Sequence, residues 1–431
     1  MHCSSILLLC TYRLLTGAAV LPAACYLAWH RRRDPSYGRR FWQLLGLNLP
    51  PFRKGKCVIF HAASMGEANA LKPLIKAFVK AHPEVRTVVT TLTTTGDGVL
   101  SKIEGIESCY TPLDQFFSVR RFFKRLHPCL MITVDTELWP EKMLAATKYG
   151  CQNILVSARM QEKNVKAYLK HQNAVRDLIC TNLTKVMCAS KEDAERFCRI
   201  GVHSDRVFVT GNLKYDLKKD SERFKSGREI RKTLQGAVLG AISTHATEEM
   251  LIIKTYLELL KEIPSLSLVL VPRHKEGVTL ACEFLRSRKL RYQRKSALSK
   301  LSDFKGGILI GDTMGEIALY FGMIDLAFMG GSFVNIGGHN PLEPACYGIA
   351  SVTGPDFHNF KNEFTGLISA KAAFLAKDTE ELKKICKELL NAPDKTADAG
   401  ERAEKFLLNG RGAVAKTLSA LNDLLSRENC T

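Results

Sequence analysis

The stretch that decides the fold covers residues 330–348 and reads GGSFVNIGGHNPLEPACYG. Residues 325–329 before it are apolar and predict a strand, and the residues from Pro341 onward predict the first turn of a helix. Glycine has no Cβ, so the backbone can approach a ligand closely and adopt positive φ. A strand, a glycine-rich loop and a helix N-terminus bring backbone N–H groups to a place where an anion can bind. The stretch therefore indicates an α/β protein with a nucleotide or sugar-phosphate site.

The same alternation of strand and helix runs through most of the chain. The predicted strands are short, β-branched and apolar, which is typical of strands buried on both faces of a parallel sheet. They cover residues 57–60, 87–90, 131–134, 153–156, 186–188 and 207–209, and then 237–242, 266–271, 308–310, 325–329 and 350–353. Helical patterns lie between them, at residues 68–81, 115–126, 161–180 and 191–200 among others. This order predicts βαβ units in doubly wound domains.

A charged, Lys-rich segment at residues 215–232 interrupts the pattern. We interpret it as a polar linker between two Rossmann-like halves, whose strand ends face an interdomain cleft. The last amphipathic pattern, at residues 412–425, predicts a helix, and whether it returns to the first half stays open.

Composition limits the class of partner. The chain has 431 residues and a formal net charge of +19, which indicates an acidic partner such as nucleic acid, an anionic membrane or a phosphorylated substrate. The 14 cysteines are scattered without a Cys-x-x-Cys pair, which argues against zinc knuckles and predicts reduced thiols.

The N-terminus favours a membrane. Residues 4–29 are apolar apart from Arg13 and a few small polar residues, and about 20 such residues span a bilayer. Basic residues at 30–33 follow, and positive charge stays cytoplasmic, so the body of the protein should face the cytosol. We predict a retained anchor, with an interfacial helix as the alternative because Arg13 is unfavourable within a bilayer.

Three predicted helix starts place a glutamate just beyond a strand. They are Ser64–Glu67, Thr313-Met314-Gly315-Glu316 and Asn340-Pro341-Leu342-Glu343. Ser-x-x-Glu is also a capping box, in which the glutamate only satisfies a backbone donor. Because all three lie where α/β sheets bind ligands, we expect them to converge on one site.

Further charged residues follow other strands. Glu137, in DTELWP at 135–140, is a candidate base, since a carboxylate in a partly desolvated cleft can have a raised pKa. Lys214, and Arg273 between Pro272 and His274, are candidate phosphate-binding cations, with solvated surface charge as the alternative. The chain contains no Asp-x-Asp, so we predict a mechanism without a metal, in which cations and helix N-termini stabilise a leaving phosphate.

Ten ordered blocks resemble the 3-deoxy-D-manno-octulosonic acid (Kdo) transferases of Gram-negative lipopolysaccharide synthesis. These blocks are HAASMGE (61–67), TTLTTTGDG (90–98), YTPLD (110–114), DTELWP (135–140), SARM (157–160), TGNLKYD (210–216), STHATEE (243–249), PRH (272–274), GDTMGE (311–316) and GGSFVNIGGHNPLEP (330–344).

The resemblance implies a GT-B fold, in which an N-terminal anchor precedes two Rossmann-like domains and no metal or other cofactor is used. It implies transfer of Kdo from CMP-Kdo to a lipid A precursor, lipid IVA, with inversion, at the cytoplasmic face of the inner membrane. The implied domains are an anchor at 1–45, an acceptor domain at 46–220 and a CMP-sugar domain at 221–431.

The resemblance also implies roles for the residues identified above. Glu67 matches the general base, and Glu137 and Lys214 match groups that stabilise the transition state. The segments that match the CMP-binding segments are Pro272, Arg273 and His274, Met314, Gly315 and Glu316, and Asn340, Pro341, Leu342 and Glu343.

The chain departs from the family pattern at a few positions. Asp135 stands where Glu is expected, Thr247 where Gly is usual, and Gly277 where Arg is frequent. The nearest alternative function is another GT-B enzyme that uses a UDP-sugar and a lipid-linked acceptor. A membrane-tethered nucleic-acid-binding protein is a weaker alternative, because basic and aromatic residues are interleaved only at residues 120–125.

Overall fold

The computed structural model describes residues 1–30 and 36–427, so Arg31 to Arg33 of the predicted basic segment lie outside the described residues. The chain divides into two compact units. The first comprises residues 1–216 and 410–431, and the second comprises residues 217–409.

The first unit is built on a sheet of seven parallel strands. The strands are β1 (Cys57–Ala62), β2 (Arg86–Thr91), β3 (Ile106–Tyr110), β4 (Leu130–Val134), β5 (Gln152–Ala158), β6 (Lys185–Cys188) and β7 (Val207–Val209). Their order across the sheet is β3-β2-β1-β4-β5-β6-β7. The chain therefore reverses its direction of winding between β1 and β4, which makes the carboxyl ends of these two strands a switch point where α/β proteins bind ligands.

Ten helices belong to the first unit within the described residues. They are α1 (Cys3–His30), α2 (Ser36–Leu44), α3 (Met65–Ala81), α4 (Thr94–Leu100), α5 (Phe116–Leu126), α6 (Pro140–Lys148), α7 (Glu162–Leu169), α8 (Gln172–Leu178), α9 (Lys191–Arg199) and, from the end of the chain, α18 (Ala413–Arg427).

The second unit repeats the architecture. Its strands are β8 (Val238–Thr244), β9 (Ser267–Pro272), β10 (Tyr292–Arg294), β11 (Ile308–Ile310), β12 (Leu326–Met329), β13 (Ala350–Thr353) and β14 (Ala373–Leu375). They are parallel in the order β10-β11-β9-β8-β12-β13-β14, so the switch point lies between β8 and β12. The helices are α10 (Ser221–Thr233), α11 (Glu248–Leu260), α12 (Lys275–Ser287), α13 (Ile317–Met323), α14 (Leu342–Ala345), α15 (Lys361–Ser369), α16 (Thr379–Leu390) and α17 (Pro393–Gly410).

Each unit has a hydrophobic core of its own. In the first, the strand residues Phe60 and Ile132 pack with Phe78 of α3 and Leu421 of α18. In the second, Phe328 packs with residues of α11, α12 and α16. Two Rossmann-like units with parallel sheets confirm the predicted fold class.

Two local expectations differ from the structure. The Lys-rich segment, interpreted as a linker, instead contains α10, which packs against α13 within the second unit. Gly227 of α10 makes this close approach possible, because a Cβ there would lie 2.1 Å from the carbonyl oxygen of Leu319. The helical pattern at 161–180 forms α7 and α8 in place of one continuous helix.

The N-terminal helix has the length of a membrane span. Within α1, the segment Cys3–Val20 is long and apolar enough to cross a bilayer by length and composition. Little of that segment is buried in the protein, so most of its apolar surface faces outward.

Candidate active-site residues

Glu67 stands at the start of α3, directly after β1. Its Oε2 accepts hydrogen bonds from the N–H groups of Ala63 (2.6 Å) and Ser64 (3.3 Å), and Ser64 Oγ accepts one from the Glu67 N–H. The capping box that the sequence left as an alternative is therefore present. Because these bonds use Oε2 alone, Oε1 keeps its lone pairs for a proton.

Two further carboxylates surround Glu67. Asp135 and Glu137 follow β4, the strand next to β1. Burial is the main cause that raises the pKa of Glu67 above its ordinary value; the Ala63 N–H opposes the rise, and the negative charges of Asp135 and Glu137 add to it. The structure thus brings the two predicted carboxylates, Glu67 and Glu137, into one electrostatic cluster.

Neighbouring groups hold that cluster in place. Asp135 has a φ of 63° and forms an ion pair with Arg159, which stands in the SARM block after β5. Glu137 accepts a hydrogen bond from the indole N–H of Trp139. The sequence analysis did not identify Arg159 as a site residue. Its position directly after β5 was the feature that could have indicated it.

Lys214 is positioned by a short 3₁₀ turn, Leu213–Tyr215, that follows β7. The Asn212 side chain accepts the Lys214 N–H at 3.0 Å, and Ser157 Oγ donates to the same Asn212 oxygen at 3.1 Å. The turn packs against α3, the helix that Glu67 begins. Lys214 is therefore carried by a segment in contact with the Glu67 helix.

In the second unit, the predicted residues follow three strands of the sheet, of which β9 and β11 are adjacent. Pro272, Arg273 and His274 follow β9, and the β11 segment leads to Met314, Gly315 and Glu316. Glu343 is the second residue of the single turn of α14, which follows β12 and the glycine-rich loop. This turn is too short for a large helix dipole, so Arg273 and not the helix start is the main positive group there.

Glu343 and Arg273 interact electrostatically. Burial raises the pKa of Glu343 to about 7, while the positive charge of Arg273 and a hydrogen bond from Asn340 oppose the rise. Asn340 also accepts the Leu342 N–H at 3.1 Å, which fixes the start of the turn. Asn340, Leu342 and Glu343 thus form one local structure close to Arg273.

The turn at Met314, Gly315 and Glu316 is stabilised by contacts of its own. Glu316 pairs with Lys295 at 2.9 Å and accepts a hydrogen bond from Thr313, while Met314 is 79% exposed. Gly315 has a φ of +80°, a conformation that glycine adopts without strain. The exposed Met314 is the residue of this turn most accessible to a ligand.

The glycine-rich loop differs from its prediction. The N–H groups of Gly331, Ser332 and Phe333 do meet an anion, but that anion is the carboxylate of Glu248, at 2.7, 3.1 and 3.0 Å. Glu248 is 1% exposed and also accepts the His245 N–H. The protein's own carboxylate therefore occupies this part of the loop, and sequence reasoning missed it because Glu248 lies far from the loop along the chain.

A histidine pair completes the second cluster. His245 and His339 stack with their ring planes 9° apart, and their Nε2 atoms lie 2.8 Å apart. In this contact one Nε2 donates a hydrogen bond and the other accepts it. Burial, with the charges of His245, Arg273 and His274, lowers the pKa of His339 to about 4. His339 was another residue that the sequence analysis did not single out.

Among residues 1–30 and 36–427, no three His, Cys, Asp or Glu side chains are grouped so as to hold a metal ion.

Comparison with known proteins decides the family. Residues 38–217 match the family described as 3-deoxy-D-manno-octulosonic-acid transferase (kdotransferase). The transferase of this name from Rickettsia felis is 31% identical over 373 residues, which cover 85% of this chain and 78% of the relative. The chain belongs to the Kdo transferase family.

Other relatives agree with this assignment. The 3-deoxy-D-manno-octulosonic acid transferase of Haemophilus influenzae is 29% identical over 94% of this chain and 95% of its own length. A glycosyltransferase structure from Rickettsia africae superposes with a TM-score of 0.54, covering 87% of this chain and all of that one. Its identity of 12% supports the shared fold alone. This Kdo transferase family member is therefore a glycosyltransferase, as the sequence blocks predicted.

Proposed function

We propose that this protein transfers Kdo from CMP-Kdo to a lipid A precursor, lipid IVA, with inversion at the anomeric carbon and without a metal. The observation that carries the proposal is the placement of Glu67 and Glu137 after adjacent strands at the switch point of the first sheet. The family assignment supports Kdo as the transferred sugar.

Glu67 acts in this proposal as the general base. An acceptor hydroxyl is a weak nucleophile until a carboxylate takes its proton during attack. The proton goes to Oε1 of Glu67, the hydroxyl oxygen bonds to the anomeric carbon, and the bond from that carbon to the CMP phosphate oxygen breaks. The raised pKa of Glu67 supports this role, because a base is most effective when its pKa lies near the working pH.

Charge that develops in the reaction has partners among the predicted residues. Carboxylates such as Glu137 stabilise an oxocarbenium-like sugar, as in glycoside chemistry generally. The electron pair of the breaking bond goes to the CMP phosphate, which a cation such as Arg273 would stabilise. Glu343, with a pKa of about 7, is well placed to accept a hydrogen bond from a nucleotide or sugar hydroxyl.

The membrane side of the proposal rests on charge and on α1. An anionic, acylated acceptor in the inner leaflet favours a basic protein with an exposed apolar helix. We place the body of the protein at the cytoplasmic face of the inner membrane. CMP-Kdo and lipid IVA are the expected partners.

Donor and acceptor are tested directly by product analysis. CMP-Kdo made in situ and tetraacylated lipid A precursor are mixed with the protein, and the lipid is followed by mass spectrometry. The proposal predicts an increase in lipid mass by whole Kdo units; no increase with CMP-Kdo, but an increase with a UDP-sugar, would contradict it.

The donor site is tested by binding. Titration calorimetry should detect CMP and not UDP, and Arg273→Gln should weaken CMP binding by about tenfold, the loss expected for a charge-assisted hydrogen bond. Arg288→Gln, an exposed arginine of the same unit, serves as the control and should bind CMP as the wild type does.

A further inference from the structure

The first half of α1 is attached to the first unit by polar side chains. Tyr12 donates its hydroxyl hydrogen to Asp114 Oδ2 at 2.8 Å, and the Arg13 guanidinium pairs with Glu141 at 2.5 Å. About two turns earlier, Ser5 donates to Asp177 at 2.8 Å. Leu9, between these contacts, is 6% exposed and belongs to a hydrophobic core of the unit. This half of the helix is therefore part of the folded unit.

Asp114 joins α1 to the start of α6. Besides the Tyr12 hydroxyl, its carboxylate accepts the N–H groups of Glu141 (3.0 Å) and Lys142 (2.8 Å), which would otherwise have no partner in the first turn of a helix. Glu141, the partner of Arg13, is 2% exposed. Tyr12 thus contacts the carboxylate that caps the first turn of α6, and Arg13 contacts Glu141 within that turn.

The first turn of α6 directly follows the Glu137 segment. Pro140 begins α6, and Trp139 stands directly before it. The indole N–H of Trp139 donates a hydrogen bond to Glu137. Lys142 is 4% exposed, its ammonium lies 5.7 Å from the centre of the Trp139 ring, and it interacts with the charges of both Asp114 and Glu137. A shift of this turn would therefore move Glu137.

The opposite face of the first half of α1 carries exposed leucines. Leu7, Leu14 and Leu15 are 71%, 75% and 65% exposed. A helix with polar groups bound to protein on one side and exposed leucines on the other is suited to lie along a bilayer surface. The two faces of α1 can therefore be changed independently.

Resting on the proposed role of Glu137, we propose that Tyr12 and Arg13 are positioning residues for the acceptor side of the reaction, acting through Asp114, Glu141 and the first turn of α6. Membrane contact belongs to the other face of the helix. Activity should then depend on the protein-facing residues of α1 even where no bilayer is present.

The test compares the two faces of α1 in detergent micelles and on vesicles. The protein-facing variants are Tyr12→Phe and the double variant Tyr12→Phe/Arg13→Gln; the outward-facing control is Leu14→Gln/Leu15→Gln. We expect the double variant to lose about tenfold to 100-fold in kcat in micelles, as for a misplaced catalytic group, with CMP affinity and vesicle binding unchanged. The control should lose binding to vesicles of anionic lipid and keep its kcat in micelles within about twofold.

A second readout does not need the reaction. Hydrogen exchange of residues 139–148 should be faster in both protein-facing variants, because Asp114, which accepts the Glu141 and Lys142 N–H groups, loses the Tyr12 hydrogen bond that holds it in place. Unchanged kcat in micelles together with unchanged exchange in this segment would overturn the proposal. If the wild type transfers no Kdo but exchange still increases, the proposed function fails while the coupling of α1 to α6 stands. If the double variant does not fold, the same two measurements are made on Tyr12→Phe alone.

Discussion

At the scale of single residues, several positions at the strand ends adopt backbone conformations that favour glycine. Asp135, Ser157 and Ser243 have φ angles of 63°, 53° and 57°, and Thr247 has 80°. Ser157 and Ser243 both interrupt the regular strand pairing, in β5 and β8 respectively. Such irregularities redirect side chains and are frequent beside functional sites.

The energetic cost of a positive φ can be measured at Thr247. Positive φ is unfavourable for a β-branched residue, and the Thr247 side chain makes no capping hydrogen bond to α11. We expect Thr247→Gly to raise the free energy of unfolding by about 1 kcal/mol. Urea denaturation followed by circular dichroism measures it. Ala246→Gly, at the exposed neighbouring position, should give no gain; an equal gain there would show that the φ of Thr247 is not the cause.

Glu343 should make stability depend on pH. Its pKa is about 7 in the folded protein and near 4.5 when unfolded, so between these values the folded state binds more protons. The free energy of unfolding should therefore fall as pH rises from 4.5 to 7, and Glu343→Gln should remove that fall. Urea denaturation of the wild type and of Glu343→Gln between pH 4.5 and 7 measures this change in the free energy of unfolding.

Glu316 is the control, because its contribution to stability should change with pH in the opposite direction. Although burial opposes it, hydrogen bonds from Thr313 and Lys295 lower the pKa of Glu316. Its contribution to stability is present above its unfolded pKa and is lost at lower pH. Glu316→Gln should thus be destabilised at pH 7, with the difference from wild type shrinking in acid. A flat wild-type profile from pH 4.5 to 7 would contradict the account of Glu343.

At the scale of elements, the glycine-rich loop after β12 depends on α11. Glu248 at the start of α11 accepts the N–H groups of three consecutive loop residues, 331–333. The loop approaches β8 closely, because a Cβ on Gly330 would lie 2.5 Å from the carbonyl oxygen of Ser243. The shape of the loop is therefore set by the neighbouring strand and helix.

Glu248 and Glu249 form a matched pair for testing this dependence. Glu249 is 0% exposed, and burial raises the pKa of its carboxyl group although a backbone N–H and the Thr244 hydroxyl oppose the rise. Glu248→Gln places an N–H donor against backbone N–H groups and should lower the free energy of unfolding by about 1–3 kcal/mol. Glu249→Gln removes a buried charge and should be neutral or stabilising at pH 8. Urea denaturation compares the two; equal losses would contradict the distinction.

The strands that sequence patterns failed to predict are β3, β10 and β14, and each lies at an edge of its sheet. An edge strand needs less apolar surface, so Ile106–Tyr110 and Tyr292–Arg294 lack the continuous apolar run of a central strand. The central strands were predicted because burial on both faces requires that run.

Some residues of interest could likewise be identified from local sequence, and others could not. Glu67 and Glu343 were identified as candidates because each stands in a local helix-start motif, directly after β1 for Glu67 and after the glycine-rich loop for Glu343. Glu248 and Asp114 were not, because their partners are distant in sequence: the loop at 331–333 for Glu248 and Tyr12 for Asp114. Local patterns identify such residues only as possible helix caps, and their partners become visible only in the fold.

At the scale of the whole molecule, the end of the chain completes the first unit. Leu421 of α18 is fully buried in the core beneath β1, together with residues of α3. The three tryptophans, Trp29, Trp42 and Trp139, all belong to this unit. Tryptophan fluorescence therefore reports on the unfolding of the first unit.

Truncating Leu421 should destabilise that unit. We expect Leu421→Ala to lower its free energy of unfolding by about 2–5 kcal/mol, the usual range for a buried leucine. Urea denaturation followed by tryptophan fluorescence measures this change. Leu408→Ala, at a position 50% exposed in the second unit, should leave the fluorescence transition in place. An unchanged transition in Leu421→Ala would contradict the assignment of α18 to the first core.

The central claim, that Glu67 is the base, is tested most directly by separating its catalytic role from its capping role. Gln at position 67 can still accept the Ala63 and Ser64 N–H bonds but cannot take a proton, whereas Ser64→Ala removes a capping bond and keeps the carboxylate. The measurement is kcat for Kdo transfer in both variants, with CMP affinity as a check on folding. We predict a loss of about 10²–10⁴-fold in Glu67→Gln and a rate within a few fold of wild type in Ser64→Ala. A near-wild-type rate in Glu67→Gln would contradict the account and leave Glu67 as a helix cap.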